Sequence, residues 1–310
     1  MAGVTTSTSG SERGGTRLDV RKTYKLFVGG AFPRSESGRS YVVSDARGRF
    51  LANAAMASRK DARDAVLAAR KAFPGWAGAT AYNRGQVLYR VAEMLEGRRE
   101  QFTAEVAAGE GLTRPRAAAV VAAAIDRWVW YAGWSDKVAQ VAGAANPVAG
   151  PYFNLSVPEP TGVVAVLAPQ ASSLLGLVSV LAPVIVSGNT AVVLASEARP
   201  LPAASLAEVL ATSDLPGGVV NVLTGRTAEV AGWLASHEDV NAIDLAGAAG
   251  ADGVVWGDLE AAAARTLTRV IRPAGDGPQA EEPDWTAPPE GPRRILACCE
   301  IKTVWHPKGR

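Results

Sequence analysis

The sequence predicts an α/β protein built on a doubly wound parallel sheet. Three observations carry this. Val163–Leu167 (VVAVL) is an unbroken apolar run, as in a strand buried on both faces. Three more β-prone runs follow, at residues 191–194, 219–223 and 242–245. Helical segments at 174–187, 201–212 and 228–236 separate them. Strand and helix alternating at this short spacing give parallel strands joined by right-handed crossovers. Ligands in such sheets sit beyond the carboxyl ends of the strands.

The other elements follow in chain order. Residues 1–22 open on Ser, Thr and Gly and read as a disordered lead-in. They hold no apolar stretch with a small-residue cleavage site, so they are not a secretory signal. Residues 24–30 (YKLFVGG) read as a strand turning on two glycines, with a return strand at 41–44. Ser58 offers an N-cap to a helix over 59–73, with Ala62, Val66, Ala69 and Phe73 on one face and Pro74-Gly75 as its stop. Further helices are predicted over 83–97, with a Val87, Leu88, Val91 and Leu95 stripe, over 99–108, and over 116–138. The last carries Trp128, Trp130, Tyr131 and Trp134, which read as packing core. A final helix is predicted over 258–272. Residues 272–294 contain six prolines with glycines and acids and read as a linker or extended arm. Residues 295–305 (ILACCEIKTVW) alternate and are β-prone, ending at His306-Pro307.

Composition excludes several classes. The chain has 310 residues, 48% hydrophobic and 20% charged, with a net charge of +2. That balance, with the signs mixed, does not suit a generic nucleic-acid binder. The apolar runs are too short for a membrane helix. There are two Cys, adjacent at Cys298 and Cys299, and two His. A zinc site is not expected, because His237 lies far from the Cys pair in a loop before a strand and His306 sits at the tail. A vicinal disulfide is disfavoured by bond geometry. With no export signal and no spaced Cys framework, a reducing cytoplasm is the expected compartment.

Seven stretches form a consistent set. They are KLFVGGAF (25–32), AVLAARKAFPGWA (65–77), the helix over 83–95, EPTGVVAVLAP (159–169), SGNTAVVLASE (187–197), DLPGGVVNVLTG (214–225) and HEDVNAIDLAG (237–247). In order and spacing, over most of residues 24–250, the chain resembles the N-terminal, coenzyme-binding part of the aldehyde dehydrogenase superfamily. The resemblance implies a Rossmann-like sheet, NAD or NADP as cofactor, and oxidation of an aldehyde. In that chemistry a Cys thiolate attacks the aldehyde, a backbone N–H and an Asn hold the oxyanion, hydride passes to the nicotinamide, and a Glu activates water.

Carried over position by position, the resemblance implies cofactor contacts at Ala168, Pro169, Gln170, Ser196, Glu197, Gly225 and Gly247. It also exposes departures. The oxyanion Asn falls on Ala171, which has no side-chain donor. The family's Lys-Pro-Ser-Glu, which holds the adenosine ribose, is Leu194-Ala195-Ser196-Glu197, so Glu197 remains as a ribose acceptor and the Lys is lost. The alternative for Glu197 is a solvated side chain at a strand end. The family's Phe-Thr-Gly-Ser turn is Leu245-Ala246-Gly247-Ala248, without hydroxyls. For Gly225 and Gly247, turn geometry and ligand approach coincide as explanations. Asp244 stands where the strand is usually apolar.

Downstream, neither the Glu-Leu-Gly-Gly-Lys stretch with the general base nor the Gly-Gln-x-Cys nucleophile segment is found. Cys298 and Cys299 lie in a β-prone segment and read as structural, so no catalytic residue is assigned, nor any metal ligand. The terminal Glu300-Ile301-Lys302-Thr303-Val304 resembles the family's last strand, which joins a small oligomerisation sheet whose other part matches residues 137–157. The implied organisation is an NAD(P)-binding domain over 23–271 with assembly strands at 137–157, a linker over 272–294 and an assembly strand over 295–310. The expected function is a truncated, catalytically deficient family member, a pseudoenzyme assembling as a homo-oligomer or with a full-length paralogue. Two alternatives stand: an active aldehyde oxidoreductase completed by a partner chain, and a nucleotide-binding module without chemistry. NAD or NADP affinity is expected to be weakened or lost.

Overall fold

The computed structural model describes residues 22–273 and 282–308. The expected lead-in, apart from Lys22, and part of the Pro-rich linker lie outside the described residues. At the N-terminal end, β1 (Thr23–Tyr24), β2 (Ser40–Ser44) and β3 (Phe50–Ala55) form a sheet in the order β1-β3-β2. The strand expected over 24–30 is therefore cut short. After Tyr24 the chain crosses to a second sheet, where Phe27 bridges Val222, and it turns through Gly29 and Gly30, both at positive φ. Strand β3 (FLANAA) was not expected, because its Ala-rich pattern carries no β-branched signal. It forms because Ala52, Ala54 and Ala55 are buried.

Five helices follow: α1 (Arg59–Gly78), α2 (Ala81–Glu96), α3 (Arg99–Glu110), α4 (Arg114–Trp134) and α5 (Val138–Ala142). Ser58 and Asp61 form a capping box at the start of α1. The expected stop at Pro74 is wrong, since α1 runs through it for another turn. Trp76 holds that turn in place: it is buried, and its indole N–H donates to Ile185 O at 2.8 Å. The single helix expected over 116–138 ends at Trp134, and α5 is separate.

Next come β4 (Ala144–Asn146) and β5 (Tyr152–Pro160), then the main sheet. Strands β6 (Val163–Leu167), β7 (Thr190–Leu194), β8 (Val220–Leu223) and β9 (Ala242–Asp244) alternate with α6 (Leu175–Val186), α7 (Leu201–Leu210) and α8 (Thr227–Ala235). The helix expected over 258–272 is instead α9 (Trp256–Ala264) followed by β10 (Arg269–Ile271). Residues 269–271 pair in parallel with β9, and this long-range pairing overrides the helical pattern before it. The order β10-β9-β6-β7-β8 is parallel throughout. Alternate residues serve opposite layers. Val164, Val166, Ala191 and Val193 join the core on the α6 and α4 side, whereas Val163, Ala165, Leu167, Val192 and Leu194 join the core containing α1 and α8 residues. Helix α6 is buried on every side, which explains why its twelve residues carry no charge and a single hydroxyl, that of Ser179.

After β10 the chain returns through α10 (Arg293–Ala297) to β11 (Cys299–Pro307). The strand expected from residue 295 thus starts at Cys299, and Cys298 caps the preceding helix. β11 pairs antiparallel with all of β5, from Cys299 opposite Pro160 to Pro307 opposite Tyr152, and β4 flanks β5 on its other edge. Among the described residues, no helix is long and apolar enough to cross a membrane.

Candidate functional site

The seven residues singled out in the sequence converge at the carboxyl ends of β6, β7, β8 and β9. Ala168, Pro169 and Gln170 follow β6, Ser196 and Glu197 follow β7, Gly225 follows β8, and Gly247 follows β9. Most of their polar groups are already paired within the chain. The Gln170 amide spans two loops: its Nε2 donates to Ala168 O at 2.9 Å, and its Oε1 accepts the Glu197 N–H at 2.9 Å. Ser196 is buried and donates from Oγ to Gln170 O at 3.0 Å. Arg199 holds the same loop from behind, donating from Nη1 to Gln170 O and Ala171 O and from Nε to Gly109 O. Sequence reasoning had no signal for Arg199.

The Glu197 carboxylate accepts the Thr227 N–H at 3.1 Å, at the first residue of α8, with the Arg226 guanidinium 3.7 Å away. Both contacts suit an anion at a helix start. Tyr41, from β2, reaches this corner. Burial, and then the Glu197 carboxylate, hold its hydroxyl protonated well above the ordinary tyrosine range. Gly225 has φ +144°, and a Cβ there would stand 3.0 Å from Ala57 N. Gly247 is buried in a tight turn over Ala246–Gly250, where a Cβ would collide with the carbonyl of Ala168. Both glycines are required by close backbone approach.

The return segment covers this end of the sheet. The Glu282 carboxylate accepts the N–H groups of both Gln170 and Ala171, the latter at 2.9 Å. Trp285 is buried in the core, and the buried Arg127 of α4 ties the segment down, donating to Trp285 O at 3.0 Å and Ala287 O at 2.9 Å as well as to Ser179 Oγ. Arg294, over the Trp285 ring, pairs with the buried Asp244. The sequence marked Asp244 as out of place, and its partner is a residue from beyond the linker. Glu282, Arg127, Trp285 and Arg294 were not singled out, because residues far apart in the chain give no local signal.

The thiols are poorly placed for nucleophilic chemistry. Cys298 and Cys299 are free and buried. Burial drives the Cys298 thiol far up, with Asp244 adding to it. Burial pushes Cys299 up to about 11, partly opposed by a hydrogen bond with Ser187. A reactive thiolate needs the opposite shift. Among the described residues, no group of three or more His, Cys, Asp or Glu is arranged to hold a metal.

Residues 32–271 match the aldehyde dehydrogenase family. Cytosolic 10-formyltetrahydrofolate dehydrogenase of Mus musculus is 32% identical over 244 residues, covering 76% of this chain and 27% of that protein. Its Homo sapiens counterpart is 32% identical over 236 residues, covering 74% and 26%. Among solved structures, PnpE from Pseudomonas sp. WBC-3 superposes with a TM-score of 0.74 at 26% identity, over 80% of this chain and 50% of that one. The NAD-dependent aldehyde dehydrogenase from Sinorhizobium meliloti gives 0.72 at 26% identity, over 81% and 49%. The chain spans about a quarter of these curated relatives and about half of these solved structures.

Proposed function

The chain belongs to the aldehyde dehydrogenase family, and from that premise we propose that it is a non-catalytic member that works by assembly. It associates with itself or with a full-length member through the sheet β4-β5-β11. The observation that carries this reading is the complete β5–β11 ladder with apolar side chains left exposed on both of its faces. Leu155 and Val304 lie opposite each other on one face. Ile301 and Trp305, 58% and 59% exposed, lie on the other. An isolated three-stranded sheet with exposed aromatic and branched residues is an interaction surface.

The chemistry is absent for reasons inside the fold. Only residues 272–298 separate β10 from β11, and the return segment stands where the resemblance calls for a catalytic domain. Ala171 offers no side-chain donor, and both thiols are buried and protonated. Nucleophile, base and oxyanion donor act as a unit in such enzymes, so their joint loss removes the activity. The crevice also does not fit a dinucleotide as it stands. Glu197 caps α8, Ser196 is buried against Gln170, and Glu282 fills the loop after β6, so affinity for NAD or NADP is weakened or lost. Two free, buried thiols suit a reducing compartment, and we place the protein in the cytoplasm.

Sedimentation of the purified chain, alone and mixed with full-length homologues, tests this reading. The expected result is a stable oligomer or mixed oligomer that Trp305→Lys dissociates. A strict monomer in every mixture overturns it. NAD(P)H formation from a panel of aldehydes by the chain alone overturns the non-catalytic part.

A further inference from the structure

Among the described residues, and apart from the local contact of Asp244 with the Ala246 N–H, three sets of main-chain N–H groups at the carboxyl end of the sheet face carboxylates from distant parts of the chain. Glu197 takes the N–H of Thr227. Glu110 takes the N–H and hydroxyl of Ser173, both at 2.7 Å, just before α6. Glu282 takes the N–H groups of Gln170 and Ala171. The third set differs from the others. Two successive N–H groups converge on one oxygen, the geometry of an anion-binding nest. The loop presenting them is braced on both sides, by the Gln170 amide and by Arg199, so the pair keeps its shape whatever occupies it. Gly250 leaves the room: a Cβ there would lie 3.0 Å from Gln170 Cβ and 3.3 Å from Glu282 Oε1.

Glu282 is an imperfect occupant. One oxygen serves both N–H groups, whereas Oε2 is buried with no hydrogen-bond partner among the described residues. An unsatisfied buried oxygen weakens the hold of the carboxylate. The segment carrying Glu282 is secured by other residues, through Arg127 and Arg294. Release of Glu282 therefore does not require the return segment to leave the core.

We infer that the Gln170–Ala171 N–H pair is an anion site for a phosphate or pyrophosphate group, and that Glu282 is a built-in competitor that keeps it closed. This deepens the proposal of weakened dinucleotide affinity and rests on it for the identity of the natural ligand. The anion site itself is tested without a dinucleotide. Closure lowers apparent affinity by the fraction of molecules that are open.

The experiment uses the full chain, Glu282→Ala, and Glu282→Gln, which keeps the shape and removes the charge. Amide hydrogen exchange at Gln170 and Ala171 is followed with and without inorganic pyrophosphate. In the native chain both amides are protected and pyrophosphate changes little. In Glu282→Ala they exchange about tenfold faster or more, and pyrophosphate restores protection with an affinity at least about tenfold above that for the native chain. Glu282→Gln also gains pyrophosphate affinity, which separates loss of the competing charge from any loosening of the fold. Equal exchange in native chain and Glu282→Ala overturns the inference, as does equal pyrophosphate affinity in all three proteins. A parallel titration with NAD separates the two claims. Pyrophosphate binding without NAD binding in Glu282→Ala supports the anion site and overturns the dinucleotide as its ligand.

Discussion

Arg294 Nη1 lies 3.0 Å from Asp244 Oδ2, joining the end of β9 to the segment that returns from the linker. The carboxylate is almost fully buried, and its other oxygen accepts the Ala246 N–H at 2.9 Å. Asp244 is therefore a fastening point for whatever covers this end of the sheet. Here the cover is the chain's own residues 282–297.

Removing the cation leaves a buried carboxylate with one partner fewer. Arg294→Gln is expected to cost about 3 kcal/mol, the lower end of the range for a broken buried pair, because Arg294 itself is partly exposed. The double variant Asp244→Asn, Arg294→Gln is expected to recover part of this loss. Urea unfolding of the native chain, of Arg294→Gln and Asp244→Asn singly, and of the double variant reads both values, and additive losses would show that the pair is not coupled.

What the sequence shows of this fold depends on how local the cause is. Strands β6, β7 and β8 are legible because burial on both faces requires runs that are wholly apolar, as in β6, or nearly so, as in β7 with Thr190 and β8 with Asn221. Strand β10 is not, since Arg269–Ile271 is short and becomes a strand only by pairing with β9. The site divides in the same way. Gln170, Glu197 and Gly247 can be located from motifs, but their hydrogen bonds to one another cannot. Glu282 reaches Gln170 across 112 residues, and nothing near either residue announces the contact. Asp244 is the intermediate case: its misfit in an apolar strand is visible, and the reason for it is not.

The cysteines give a prediction about reactivity. With the Cys299 thiol pushed up to about 11, on the order of one molecule in a thousand is thiolate at pH 8. Both thiols are expected to react with a disulfide reagent at least about a hundredfold more slowly in the native chain than after unfolding. Rapid stoichiometric labelling of the native chain would contradict this and restore a candidate nucleophile.

Glu105 predicts a pH dependence of stability. Its Oε1 accepts from Ser205 Oγ at 2.7 Å and Gln101 Nε2 at 3.0 Å, whereas Oε2 is buried without a partner among the described residues. Burial raises its carboxyl above the usual range, and the two hydrogen bonds only partly oppose this. The unfolded chain therefore loses this proton first as pH rises, so the contribution of Glu105 to stability falls from mildly acidic pH toward neutrality. Glu105→Gln is expected to exceed the native chain by about 1 kcal/mol at pH 7.5 and to lose that advantage near pH 4. Denaturant unfolding at both values checks the sign, and a variant less stable at pH 7.5 would refute it.

Two glycines to alanine should move stability in opposite directions. At Gly247 an added Cβ would collide with the Ala168 carbonyl and stand 2.6 Å from Leu167 O, all of it strand-end backbone that cannot turn aside. Gly247→Ala is expected to cost about 3 kcal/mol or more and to disturb the 168–171 loop, seen as faster amide exchange there. Gly232 lies exposed within α8, and a Cβ there meets nothing within 4 Å. Gly232→Ala only removes backbone freedom from the unfolded chain, so it is expected to stabilise by about 0.5–1 kcal/mol. A small cost at Gly247 would mean that the turn over Ala246–Gly250 is not pressed against β6, and the candidate crevice would then be wider than the structure shows.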